Sequence, residues 1–301
     1  MQVLRCLHLQ GPVSQLWRAD DLTPSAEIFP PGSLRQVPED AEEAGGGSVK
    51  ETVIEVLSRP KLSNPVLIGG LPGMGYVGKL AVEHLVAEIK ARKFAELYSP
   101  HFPHQAVVEE GGLIRLPRNE FFWARQDGKS LVIWTGDAQS VTPEGHYEIV
   151  EKVLDFAEGL RVKQMYTLGG FATGKFSRAQ PKVVALGDPE LLRGVSSFGA
   201  SVERRGGPII GAVGLLVGLG KLRRIPGVCL LGETHGMLVD HRAAEAVLRV
   251  VLQVLGLNVS LENLQQRARE TEQMIERVQR EIVSREEMMK KREEEESWYI
   301  G

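Results

Sequence analysis

Four short apolar runs, each ending in glycine and followed by polar residues, place the tightest constraint on how this chain can fold. They are Val66–Gly70, Leu131–Gly136, Met165–Gly170 and Val228–Gly232. Runs that are apolar on both faces suit strands covered from both sides, as in a parallel sheet between helical layers. The segments that we expect to be helical alternate with these runs and are Val77–Ala91, Pro143–Glu158 and Arg242–Leu255. The sequence therefore predicts an α/β fold, a three-layer α/β/α sandwich around a mostly parallel sheet.

A cluster of closely spaced β-prone segments interrupts this alternation. Gly112–Leu116 comes first, and Glu120–Gln126 and Ser130–Thr135 follow with Asp127 and Gly128 between them. An Asp-Gly pair between two such runs is a strong hairpin signal. We therefore expect the sheet to gain an antiparallel hairpin region.

The two ends of the chain differ in composition from its centre, which predicts three segments. Residues 1–48 contain five prolines and end near an AGGGS stretch, so we expect a flexible appendage before an α/β domain at 49–258. In residues 259–301, Ser260–Ser297 lacks Gly and Pro and carries a heptad-like seam with one Thr and one Arg. The seam is Leu261, Leu264, Ala268, Thr271, Ile275, Val278, Ile282, Arg285 and Met289. It predicts a long amphipathic helix that either pairs in a coiled coil or packs along its own or a neighbouring subunit.

Charge and cysteine content argue against several classes of function. The formal net charge of −3 gives no overall attraction to nucleic acid or to an anionic membrane. Cys6 and Cys229 do not belong to a C-x-x-C pair, so neither a disulfide framework nor a zinc site is indicated. The longest uncharged run, Gly206–Gly220, is too short for a membrane span and is interpreted as a buried segment. The first residues show no secretory signal, and we expect a cytoplasmic protein without a metal or cofactor.

The glycine-rich stretch after the first strand matches two nucleotide-binding motifs in part. Gly73–Gly78 reads G-x-G-x-x-G, as in dinucleotide-binding turns, and Gly73–Lys79 reads G-x-x-x-x-G-K, as in a P-loop. A P-loop needs Ser or Thr after the Lys to ligate Mg²⁺, and Leu80 stands there instead. The structural alternative is that the glycines let a strand turn sharply into a closely packed helix. These glycines are Gly69, Gly70, Gly73, Gly75 and Gly78.

Polar residues at the predicted strand ends keep an enzymatic alternative open. Lys79, Asp137, Glu233 and His235 lie where α/β enzymes place their chemistry, and an acid with a His can perform acid–base catalysis. The competing interpretation of these residues is loop hydrogen bonding and helix capping. The alternative hypothesis is a nucleotide- or phosphate-dependent enzyme that uses Lys79, Asp137 and His235.

Trp298, Tyr299 and Ile300 follow a run of four glutamates, and Gly301 comes after them. Buried aromatic side chains contribute much of the binding energy at protein interfaces, and a terminal carboxylate can pair with a basic group. This pattern favours a charged tether with an anchor that docks into a partner. The alternative is that the anchor folds back onto its own domain.

Several sequence blocks resemble the proteasome assembly chaperone family in its archaeal-type form. They are NPVLIGGLPGMGYVGKLAVEHLV, SPHFPHQAVVEEGGLIRLPRNEFFW, LVIWTGDAQSVTPEGHYEIVEKVLDFA and MYTLGGFATG. The likeness covers about Lys50 to Leu257. It implies an α/β/α fold, self-association, and non-enzymatic, ATP-independent binding to proteasome α-subunits during assembly of the core particle. The same family scaffold could also serve as an adaptor for another protein.

The resemblance also implies a role for the C-terminal anchor. Some members of the family end in a hydrophobic–Tyr–X motif that inserts between neighbouring α-subunits. Trp298, Tyr299 and Ile300 match this order, but Gly301 departs from it, because Tyr is penultimate in the motif. The added residue displaces the carboxylate by up to about 3.6 Å. The resemblance thus implies partner-binding residues at Trp298–Gly301 and no catalytic, cofactor-binding or metal-binding residues.

Overall fold

A computed structural model describes residues 49–175, 177, 179–203 and 206–274, together with residues 277, 280 and 288. All of these belong to the second of the chain's two units, Ser48–Gly301. The appendage expected at 1–48 and the anchor Trp298–Gly301 lie outside the described residues.

Nine of the strands in the described residues form one mixed sheet, in the order β1-β3-β6-β7-β2-β8-β11-β9-β10. Its four central strands, β7, β2, β8 and β11, are parallel. They contain the four glycine-ended runs, which confirms the α/β prediction. The strands are β1 Val53–Val56, β2 Val66–Gly70, β3 Arg92–Tyr98, β4 Val107–Val108, β5 Ile114–Arg115, β6 Asn119–Gln126, β7 Lys129–Gly136, β8 Gln164–Ala172, β9 Val183–Gly187, β10 Ser201–Val202 and β11 Gly227–Thr234.

Helices cover both faces of the sheet and complete the three layers. The helices are α1 Val77–Glu88, α2 Pro143–Gly159, α3 Pro189–Ser196, α4 Ala212–Leu222 and α5 His241–Leu255. One core cluster contains side chains of α1, α3 and α5, and the other contains side chains of α2 and α4. Successive side chains of a strand point to opposite faces, so Ile133 of β7 lies in the first cluster and Val132 in the second. This double burial explains why the central strands are apolar on both faces.

The antiparallel hairpin also forms as predicted. β6 pairs with β7, and the connecting Asp127 and Gly128 have φ values of 49° and 75°. Two consecutive positive φ values are characteristic of the tight hairpin turn that an Asp-Gly pair favours. The hairpin extends the sheet at β7, where Phe121 of β6 stacks on Trp134 with 6.5 Å between ring centroids.

Three predicted segments need correction. Of Gly112–Leu116, only Ile114–Arg115 forms a strand, and it pairs with β4 in a separate two-stranded ribbon. Gly206–Gly220 is not buried throughout, because its glycine- and proline-rich start is an exposed loop and only the inner face of α4 is buried. The first helix ends at Glu88 rather than Ala91, because Lys90 turns the chain with a φ of 51°.

The C-terminal helix segment (262–274) packs on its own domain. Leu264 and Ala268 of the heptad-like seam are buried, and Leu264 belongs to the core cluster that contains α1 and α5. Thr271 continues this face beside His241, with 3.4 Å between the Thr271 hydroxyl and His241 Nδ1. The first part of the seam is therefore used within the subunit, whereas seam positions Ile275, Val278, Ile282, Arg285 and Met289 lie outside the described residues.

Candidate functional site

The carboxyl ends of the four central parallel strands all lie at one edge of the sheet, which we call the carboxyl edge. The loops that follow β2, β7, β8 and β11 emerge there, and so does the β3–β6 connection, because Asn119 pairs with Gly136 at the end of β7. Ligand sites of open α/β sheets lie at this edge, next to the strand ends. It contains the predicted glycine loop and the four polar candidates.

The glycine loop brings the first turn of α1 against the backbone of the sheet. A Cβ atom on Gly78 would lie 2.1 Å from the carbonyl oxygen of Leu168 in β8, and one on Gly70 would lie 2.2 Å from the carbonyl oxygen of Gly78. Contacts below 3.0 Å are not found for real Cβ atoms. α1 therefore packs so closely on β2 and β8 that only glycine fits at positions 70 and 78.

The other three glycines, Gly69, Gly73 and Gly75, differ in how strictly their positions require glycine. Gly75 combines a φ of 61° with a Cβ position 2.7 Å from the Thr234 hydroxyl, so it needs glycine for both reasons. A Cβ on Gly69 would lie 3.2 Å from the Trp134 ring, which is a tight contact. Gly73 is exposed and extended, and neither its backbone nor its surroundings require glycine.

Lys79 is engaged within the protein. Its Nζ donates a hydrogen bond to the carbonyl oxygen of Gly136 at 2.9 Å and pairs with Glu83 at 2.7 Å. The lysine therefore joins the start of α1 to the end of β7. This differs from a P-loop lysine, which reaches toward bound phosphates.

Asp137 is also held by internal partners. Its carboxylate accepts hydrogen bonds from Arg115 Nη2 at 3.1 Å and from the backbone N–H of Arg118 at 3.0 Å. Burial raises the pKa of Asp137, but these hydrogen bonds and the charges of Arg115 and Lys79 outweigh it and hold the pKa below its usual value. We call residues 105–116, which contain the β4–β5 ribbon, the flap. The contact between Asp137 and Arg115 holds the flap against the end of β7.

Glu233 and His235 line a separate cleft of about 420 Å³ at the end of β11. The start of α5, the loop around Ser177 and the C-terminal helix segment (262–274) form its other walls. Arg242 lines the cleft and joins two of its walls, because it donates to the carbonyl oxygen of Ser177 at 3.1 Å and pairs with Glu272 at 2.8 Å. The polar groups of the cleft thus join three elements of the subunit.

The structure does not bring Lys79, Asp137 and His235 together. Lys79 and Asp137 lie at the end of β7, whereas His235 follows β11, which is three strand positions away in the sheet. With neighbouring strands about 4.8 Å apart, that separation is about 14 Å. Within the described residues, no group of three or more His, Cys, Asp or Glu side chains is arranged to hold a metal ion. No helix of the described part of the chain has the length and apolar character to cross a bilayer.

Exposed apolar side chains at the carboxyl edge form a feature to which sequence reasoning gave no role. The set, which we call the edge patch, is Met74, Tyr76, Val141, Ile210 and Met237. Ile210 is 91% exposed and Met237 is 85% exposed. The only signal in the sequence is that large apolar residues stand in glycine-rich or polar loops directly after strands or before helices.

Hydrogen bonds between the loops hold the edge patch in place. Gln139 donates to the carbonyl oxygen of Pro72 at 2.6 Å and accepts from the N–H of Ala212 at 2.9 Å, so it links the loops next to Met74 and Ile210. The N–H of Asp240 donates to the carbonyl oxygen of Gly75 at 2.9 Å, which links the loop carrying Met237. The patch therefore belongs to a cross-linked surface rather than to independent loops.

These features define an α/β/α scaffold in which Lys79 and Asp137 at the end of β7 are engaged by internal contacts, a cleft lies at the end of β11, and apolar side chains are exposed at the carboxyl edge. The chain belongs to the PAC2 family, whose model matches residues 67–279. A Methanocaldococcus jannaschii relative, uncharacterized protein MJ1210, is 37% identical over 245 residues, which cover 80% of this chain and 93% of the relative.

Two solved structures from Pyrococcus furiosus are also similar. PbaB, described as an archaeal proteasome activator, is 43% identical with a TM-score of 0.72, and the match covers 76% of this chain and 99% of PbaB. PbaA, described as an archaeal homolog of proteasome-assembly chaperone, is 25% identical with a TM-score of 0.65, covering 79% of this chain and 97% of PbaA. The expected family is thus confirmed.

Proposed function

We propose that this protein is a non-enzymatic, ATP-independent chaperone or adaptor that binds proteasome α-subunits during assembly of the core particle. The observation that carries the proposal is the similarity to PbaB, which spans 99% of that chain at 43% identity and whose description names the proteasome. The description of PbaA names proteasome assembly, which supports the same partner. In this proposal the segment Trp298–Gly301 docks between α-subunits, and the scaffold self-associates so that several tails act together.

The geometry of the carboxyl edge supports a binding role over nucleotide chemistry. The first turn of α1 lies against the sheet backbone at Gly70 and Gly78, and Lys79 is bonded to Gly136 and Glu83. The three residues of the enzymatic hypothesis are separated, because Lys79 and Asp137 lie at the end of β7 and His235 follows β11. These contacts account for Gly70, Gly78 and Lys79 without a phosphate ligand.

The tail can be tested by capture of purified proteasome α-subunits from the same host. The chain lacking Trp298–Gly301 should lose at least tenfold in affinity, because a buried aromatic anchor contributes much of an interface's binding energy. The full-length variant W298A/Y299A/I300A should lose as much, since it keeps the chain length and Gly301. Both should retain the circular dichroism spectrum and thermal midpoint of the parent protein.

ATP dependence and partner identity are measured in the same experiment. Capture should be equal with and without ATP and Mg²⁺, and calorimetry with ATP or NAD should show no heat of binding. Undiminished capture by both tail variants would remove the tail from the proposal. Failure of the intact protein to capture α-subunits, with another protein co-purifying from the host, would support the adaptor alternative instead.

A further inference from the structure

We propose that the edge patch is a second contact surface for the same protein that receives the C-terminal tail. This inference rests on the proposed function, because it concerns the partner that the tail binds. The surface consists of Met74, Tyr76, Val141, Ile210 and Met237. Its occupant is an apolar area of the partner that lies beside the pocket for Trp298, Tyr299 and Ile300.

The path of the C-terminal helix segment (262–274) ties the tail to this edge. The segment begins at the opposite edge, where Asn263 Nδ2 donates to Glu88 at the end of α1 at 2.8 Å. It runs antiparallel to α5, and Gln265 contacts Glu245 at 2.9 Å partway along. At its far end, Glu272 pairs with Arg242 in the first turn of α5 at 2.8 Å. The chain therefore reaches residue 274 at the carboxyl edge.

The rest of the chain starts from that point. Residues 275–301 follow, with the anchor at the far end. A segment of this length spans about 40 Å as a helix. A partner that holds Trp298–Gly301 is thus tethered to a point on the carboxyl edge, which is the part of the described domain nearest to the start of the tether. Tethering raises the effective concentration of a second contact, so even a modest apolar surface adds to the affinity.

The character of the patch fits a protein partner with an apolar surface. Its five side chains are uncharged, and single exposed apolar residues are ordinary, but several at one edge indicate an interaction surface. The patch is also held by Gln139, which links the loops at Pro72 and Ala212. A surface that is ordered before binding loses less conformational entropy on association. The same edge carries more exposed apolar residues on the neighbouring flap, including Ile114 at 73% exposure.

The test uses the double variant I210D/M237D in the full-length protein, with its tail intact. Both side chains are exposed, so the substitutions should leave the thermal midpoint within about 2 °C, consistent with the small effects of surface changes. The matched control is Leu222→Asp, since Leu222 is 80% exposed at the end of α4, away from the carboxyl edge. Affinity for purified α-subunits is measured by biolayer interferometry, and the mass of each variant by light scattering.

We expect I210D/M237D to bind α-subunits at least fivefold more weakly, while Leu222→Asp changes the affinity by less than twofold. A synthetic peptide of residues 289–301 should still compete with both variants. If I210D/M237D binds like the parent protein while tail deletion abolishes binding, the second surface is refuted and the proposed function stands. If the double variant changes the oligomeric mass and binding per subunit is unchanged, the patch covers a second copy of this chain, which also overturns the inference. If the intact protein does not bind α-subunits, the proposed function itself fails.

Discussion

The substitution Gly78→Ala tests whether the glycine loop is required for packing in the absence of any ligand. The new Cβ would lie 2.1 Å from the Leu168 carbonyl oxygen and 2.9 Å from its carbonyl carbon. Both atoms are backbone, so relief requires α1 to move away from the sheet by about 1 Å. That movement loosens Val77, Ala81, Val82 and Leu85, which are completely buried.

The expected loss of stability follows from two opposing contributions. Replacing Gly by Ala inside a helix contributes about 1 kcal/mol of stability. Overpacking a well-packed core costs typically about 1–3 kcal/mol and occasionally more. A clash with backbone belongs at or above the upper end, so we expect a net loss of about 2 kcal/mol or more. With an m-value of about 2 kcal/mol/M, the urea midpoint should fall by about 1 M.

Urea unfolding followed by circular dichroism measures this change, with Gly218→Ala as the matched control. Gly218 lies in α4, and nothing lies within 4 Å of its Cβ position. This control should gain up to about 1 kcal/mol from helix propensity alone. If Gly78→Ala is as stable as the parent protein, the close-packing argument is wrong. If its stability is restored by adding ATP or NAD, the loop is a ligand site.

Two further predictions concern titratable groups. The pKa of Asp137 lies below its usual value in the folded protein. Its ionised form therefore stabilises the fold at pH values above the unfolded-state pKa of about 4. This contribution is lost as the pH falls through the folded-state pKa. Asp137→Asn should therefore lower the thermal midpoint at pH 7, and the difference from the parent protein should narrow in melts between pH 5 and pH 2; a constant difference would contradict the ion-pair argument. Burial raises the pKa of Cys229 to about 11, so in a Cys6→Ser background iodoacetamide at pH 8 should modify Cys229 only at the rate of unfolding, and fast labelling of the native protein would contradict its burial.

The parts of the fold that could be predicted are those in which a short sequence pattern has a single structural explanation. β2, β7, β8 and β11 are apolar on both faces because helices cover both faces of the sheet. Asp127-Gly128 identified the hairpin because its two positive φ values suit few other residue pairs. Thr142 and Pro143 likewise mark the start of α2, where the Thr142 hydroxyl accepts from the N–H of Gly145 at 3.1 Å.

The remaining elements depend on contacts distant in sequence. β1 and β3 carry charged residues because they lie toward one side of the sheet, and Glu96 of β3 is paired with Lys93 at 2.5 Å. The prediction that Gly206–Gly220 is buried failed because composition does not show where an apolar stretch divides between loop and helix. The separation of Asp137 from His235 could not be predicted either, because the order of strands in the sheet, β7-β2-β8-β11, differs from their order along the chain.

The packing of the glycine loop is consistent with the proposal that the carboxyl edge of this fold binds a protein rather than a nucleotide. In an open α/β sheet, the crevice at the strand ends receives the ligand when the loops after the strands leave it open. Here Gly70 and Gly78 draw α1 onto the strands, and Lys79 bonds to the end of β7. Asp137 fastens the flap beside it through Arg115. The polar groups at the end of β7 are thus used internally, whereas Ile210 and Met237 remain exposed in the neighbouring loops. Met74 and Tyr76 of the edge patch directly precede α1, so the displacement of α1 by Gly78→Ala should also move these two side chains. Gly78→Ala should therefore weaken α-subunit binding as well as stability.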